Sequence, residues 1–200
     1  MNRYTVNKFI AGIANFMSTA LSPLLMPTYG VFLVLWVSVL LMCMGITCIL
    51  PLIFLGVLRH FKLVKDLHVE RREQRFIPYL FTALCYLSAA YYLYYCHSPQ
   101  WFTMFMVGSA VTVVVMALVS LKWKISAHMA GIGGLVALVY QIHVQGLSAF
   151  DLFWLLCFTI IVAGGLGSAR LVLKRHDTLQ VLAGVVVGFL CVSLTMRFLG

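Results

Sequence analysis

The run FDLFWLLCFTIIVAGGLG, residues 150–167, holds one charged side chain in 18 positions. Comparable runs recur at roughly 76–96, 101–121, 127–143 and 178–197, separated by short polar connections. Runs of this length approach the ~20 residues a helix needs to cross a bilayer. In hydrocarbon every backbone N–H and C=O must be satisfied within the structure, so only helices and closed barrels span it. No segment alternates apolar and polar residues for long, which argues against a barrel. Composition agrees: 63% of the chain is hydrophobic and 10% charged, against about 25% charged in soluble domains. The expectation is an all-α, polytopic transmembrane bundle of about six or seven spans, forming one membrane domain over residues 1–200.

Two regions are less regular. Residues 1–23 show no small-residue cleavage site after Arg3 and Lys8, so they read as an interfacial helix or the start of a span rather than a signal peptide. Residues 24–60 are too long for one simple crossing at ~1.5 Å per residue. They form either one tilted helix broken near Pro51 or, the reading favoured here, two short spans joined around residues 40–45. The six cysteines lie in or beside apolar runs without a C-x-x-C pair, so they read as small packing residues rather than zinc ligands or a disulfide framework.

The net charge of +9 is unevenly distributed. Counting crossings puts the segments 59–75, 122–128 and 170–177 on one membrane face. They carry 11 of the 14 Lys and Arg residues, six in the first, two in the second and three in the third. The opposite connections, CHSPQ at 96–100 and HVQGLSA at 143–149, carry none. Basic loops alone mark a cytoplasmic face. That rule does not account for the histidines and the serine set among the cations. Nothing interleaves aromatic and basic residues on a soluble surface, so nucleic acid is not an expected partner. Phosphate at the bilayer surface is.

Cleaving a phosphate ester there requires cations for the non-bridging oxygens, a nucleophile in line with the leaving oxygen, and an acid to protonate that oxygen. Imidazole suits both chemical roles. The three loops offer Lys65, Arg72 and Arg75, then Ser126 and His128, then Arg170 and His176. In that order they resemble the type 2 phosphatidic acid phosphatase superfamily of membrane lipid phosphatases, whose motifs are K-x6-R-P, P-S-G-H and S-R-x5-H-x3-D. Arg170-x5-His176 is similar to the third motif and Ile125-Ser126-Ala127-His128 to a relaxed second. Lys65-x6-Arg72 has the spacing of the first, with Glu73 in place of proline. Arg72-x-x-Arg75-x-x-Pro78 offers a second anchor for it. The resemblance covers about residues 50–195.

The resemblance implies that His176 is the nucleophile and His128 the acid. Ser126, Arg170 and either Arg72 or Arg75 would hold the phosphoryl oxygens, with Lys65 assisting and no metal or other cofactor. Two positions depart from the pattern: Ala169 replaces serine, and Gln180 replaces the aspartate that would orient the nucleophile. Gln180, and less directly Asp177, are the candidate orienting residues. Asp177-x-x-Gln180 also fits a helix capping box, and Ser126 fits an N-cap. Lys122, Lys124, Lys174 and Arg175 read as anchors that snorkel to headgroups. The glycines Gly131, Gly133, Gly134, Gly184 and Gly188 read as sites of close helix packing.

The expected function is hydrolysis of a lipid phosphate or pyrophosphate through a phospho-histidine, with the bilayer and the lipid substrate as partners, in a bacterial cytoplasmic membrane. The alternatives are an impaired relative that binds anionic headgroups and, less favoured, a small transporter or channel subunit. Loop charge points the motif face to the cytoplasm, whereas the family resemblance implies the outer or lumenal face.

Overall fold

The computed structural model describes residues 37–62, 74–173 and 176–198. The chain divides into two compact units, Met1–Cys43 and Met44–Gly200. Of the first, the described part is residues 37–43, which are helical.

The described residues are all-α. They comprise α1 (Ser38–Met44), a π-helical turn (Gly45–Ile49), α2 (Leu50–His60), α3 (Phe76–Tyr95), α4 (Gln100–Ser120), α5 (Ala127–Val144), α6 (Phe153–Val172) and α7 (Thr178–Phe198). Six helices are long and apolar enough to cross a bilayer: Ser38–His60, then α3, α4, α5, α6 and α7. Their outward faces carry the large exposed side chains, such as Leu84, Phe158, Ile161 and Leu182, as a lipid-facing surface requires.

The expected reversal around residues 40–45 is absent. Residues 38–60 are helical throughout and count as one span, whose 23 residues extend about 34 Å at ~1.5 Å each. Residues 40–45 offer only Gly45 as a turn former, and a turn there would leave backbone groups unsatisfied in hydrocarbon. Pro51 does not break the helix either. It occupies one of the first two positions of α2, directly after the π turn. The widened turn takes up the ladder defect left by a residue that has no N–H to donate. Residues 24–36 lie outside the described part.

Within Met44–Gly200 the tightest pairing is α5 against α7, followed by α3 against α4 and α4 against α7. Glycine permits the first. A Cβ on Gly184 would stand 2.6 Å from the carbonyl oxygen of Ser126, and one on Gly188 would overlap the Ala130 carbonyl. With bare backbone at both positions, the two helices meet along their main chains. Next to this seam Met116, Ile125 and Ala130 form one buried cluster, and Ala137, Val192 and Met196 another. The α3, α5 and α7 N-termini and the α4 and α6 C-termini therefore converge on one face.

Candidate functional site

The seam brings the second and third loops together. The Ser126 N–H donates to the Gln180 carbonyl at 3.3 Å, and the Ser126 carbonyl accepts from Ala130 N–H at 3.0 Å as α5 begins. Ser126 occupies the N-cap of α5 with extended backbone, φ −86° and ψ 107°, yet its hydroxyl makes no capping bond. That hydroxyl is fully buried and unpartnered. A buried hydroxyl left without a partner costs about 1–3 kcal/mol, so capping does not explain this serine.

His176 lies in the turn before α7, half-buried. Its Nδ1 stands 2.9 Å from Gln180 Oε1, and Gln180 Nε2 donates to Asp177 Oδ2 at 3.3 Å. Both ends of the Gln180 carboxamide thus go to His176 and Asp177, not to the backbone N–H that a capping box would use.

Three cations from three loops act on this imidazole: Lys124, Arg75 and Arg170. Arg75, just before α3, is buried, and its guanidinium bonds the Tyr79 hydroxyl one turn on. Arg170 is in the last turn of α6, half-buried. Lys124 sits two residues before Ser126. Among the described residues neither Lys124 nor Arg170 is paired with a carboxylate. Burial lowers the His176 pKa below its ordinary 6.5, Lys124, Arg75 and Arg170 lower it further, and the bond to Gln180 opposes them. The charged form of the imidazole is therefore disfavoured, and the positive charge near it favours an anion.

His128, one residue into α5, is exposed. Asp177 and Ala169 are also exposed. Lys65, Arg72, Lys174 and Arg175 lie outside the described residues, so of the two arginines offered for the first loop Arg75 is the one seen beside His176. Lys124, expected to be an anchor, also acts electrostatically on His176. The signal was its place in a loop of six residues, 121–126, where little separates any side chain from the motif.

A cavity of about 330 Å³ lies between α3, α4, α5 and α7. Tyr79 and Ala127 line its upper end, and Tyr86, Phe105, Gly134 and Val192 its depth. Thr82, Ser109 and Thr112 also line it, but each hydroxyl donates to the carbonyl four residues back in its own helix, at 2.8 Å. Their donors are thereby spent, and the walls offer mostly methyl groups and rings.

On the opposite face His143 Nδ1 lies 3.5 Å from Asp151 Oδ1, a local pairing between the end of α5 and the segment before α6. No family model, curated protein or solved structure matches the chain.

Proposed function

We propose that this protein is a membrane phosphatase of the type 2 phosphatidic acid phosphatase kind, cleaving a lipid phosphate or pyrophosphate through His176. The observation that carries the reading is the His176 imidazole held at Nδ1 by Gln180, with Arg75, Lys124 and Arg170 brought near it from the three loops. Held in this way, Nε2 carries the lone pair. It attacks phosphorus while the bond to the leaving oxygen breaks, giving a phosphoryl group on Nε2 with the proton kept on Nδ1. Arg75, Lys124 and Arg170 neutralise the non-bridging oxygens, and the Ser126 hydroxyl supplies the hydrogen bond it lacks at rest. The departing alkoxide takes a proton from His128. An acid for that oxygen has to stand across the phosphoryl group from the nucleophile. Water, deprotonated by the same histidine, then displaces His176 and releases inorganic phosphate.

The cavity favours a lipid over a soluble ester. Its lining includes Tyr79, which is bonded to Arg75, and continues along apolar residues of the spans such as Phe105 and Val192. Its volume lies at the lower end of small-molecule sites, about 300–1,000 Å³. Transport is less favoured, because ionisable residues on a transport path sit within the spans. Among the described residues Arg59, Arg170 and Arg197 are the Lys, Arg, Asp or Glu residues in helices, each in a last turn.

The test is phosphate release by the purified protein from a panel of lipid phosphates and pyrophosphates, with chelator present. Turnover is expected for at least one, lost in His176→Ala and reduced about a hundredfold or more in His128→Ala. Parental activity in both variants would reject the reading. Saturable binding of anionic lipid without turnover would mark the chain as a headgroup-binding relative.

A further inference from the structure

We infer that Asp177 is a positioning residue that fixes the His176 tautomer through the Gln180 side chain. The catalytic meaning rests on the reading of His176 as nucleophile; the tautomer does not. At neutral pH an aspartate carboxylate only accepts hydrogen bonds, whereas a carboxamide has one accepting and one donating end. Gln180 therefore has to turn its NH₂ toward Asp177 Oδ2, since the reverse orientation would set oxygen against oxygen. That places Oε1 against His176 Nδ1 at 2.9 Å. An acceptor at this point requires Nδ1 to carry the proton, and the lone pair moves to Nε2.

Neither neighbour could do this alone. A glutamine without Asp177 can rotate its carboxamide and offer NH₂ to an unprotonated Nδ1, which favours the opposite tautomer. Asp177 adjoins His176 in sequence, but its side chain is turned to Gln180, three residues on in the first turn of α7. Residues three apart share a helix face, so the contact follows from the spacing. The carboxylate that the motif resemblance leads one to expect at position 180 is supplied one step removed.

Two measurements on the full-length protein in nanodiscs test this. The first is nitrogen NMR of ¹⁵N-histidine-labelled protein at neutral pH, with the His176 signals assigned by their loss in His176→Gln. The native protein is expected to show Nδ1 protonated and Nε2 bare. Asp177→Asn is expected to shift the ring toward a mixture, because an Asn side chain can accept or donate and no longer dictates how Gln180 faces. Asn caps helices about as well as Asp, so the start of α7 is preserved. The second is kinetic. Asp177→Asn is expected to lower kcat about tenfold with KM nearly unchanged, a fraction of the loss known for a wrong-tautomer triad. In a Gln180→Glu background, where a carboxylate reaches Nδ1 directly, the same change is expected to have no effect.

An unchanged tautomer in Asp177→Asn, or an equal fall in kcat in both backgrounds, would overturn the inference. A tautomer that responds in a protein hydrolysing none of the lipid phosphates would uphold the hydrogen-bonded relay and reject the phosphatase reading instead.

Discussion

Gly184 lies directly against the carbonyl of Ser126, so that any side chain at 184 would push on the residue that starts α5. Through the bond from Ser126 N–H to the Gln180 carbonyl, one helix turn toward the face, the same contact sets the distance between the second loop and the His176 turn. Gly184→Ala is expected to destabilise the protein by about 1–3 kcal/mol, the usual range for overpacking, and to reduce turnover with it. Gly164→Ala is the control, because a Cβ there meets nothing within 4 Å. Thermal unfolding in one detergent compares the two.

Ser126→Ala separates two explanations of a buried serine. Loss of a helix cap costs about 1 kcal/mol. The Ser126 hydroxyl makes no capping bond and has no partner, so stability is expected to hold or rise slightly. Turnover is expected to fall at least tenfold, as for removal of one hydrogen-bond donor to a developing oxyanion. A lower midpoint with unchanged kcat would contradict that role.

The pH dependence follows from the charges facing His176: Lys124, Arg75 and Arg170, with Gln180 opposing. Because the folded pKa lies below the ordinary 6.5, the acidic limb of kcat/KM is expected below that value. Lys124→Gln removes a like charge and should move the limb upward. The same sign governs stability. A depressed histidine pKa contributes stability that is complete above 6.5 and is lost as pH falls through the folded value. A Lys124→Gln limb at or below the parental one would contradict the placement of Lys124.

One candidate span, Gln100–Ser120, separates position 98 from position 123 and puts them on opposite faces. In a background with Cys96 replaced, Ser98→Cys and Trp123→Cys are expected to react with an impermeant maleimide from opposite sides of sealed vesicles. Labelling of both from one side would reject the topology. The side that reaches position 123 also settles the conflict between loop charge and family resemblance.

The spans were legible because apolar length is a direct consequence of bilayer thickness. The boundaries of α3 to α7 fall within a few residues of those read from the sequence. Ser38–His60 was misjudged because Pro51 and excess length suggest interruption, whereas a π turn absorbs both without reversing the chain. At the site, the residue types and their shared face followed from parity, but two relations depended on packing. Lys124 looked like any lysine at a lipid surface, and only the closeness of the α5–α7 seam brings it to His176. Asp177 adjoins the histidine in sequence, where neighbouring side chains seldom face each other. Its route through Gln180 required knowing where the carboxamide points.

The cations around His176 are not held alike. Arg75 and Lys124 border α3 and α5, both packed into the body of the bundle, whereas Arg170 rides on α6, of which only Thr159 and Gly167 are buried. Most of α6 is solvated by lipid tails, so the set of that helix follows the thickness and lateral pressure of the surrounding bilayer. Two of these cations are thus held by the packed body of the bundle and the third by a helix that faces the membrane. A change of bilayer thickness is therefore expected to shift Arg170 relative to Arg75 and Lys124.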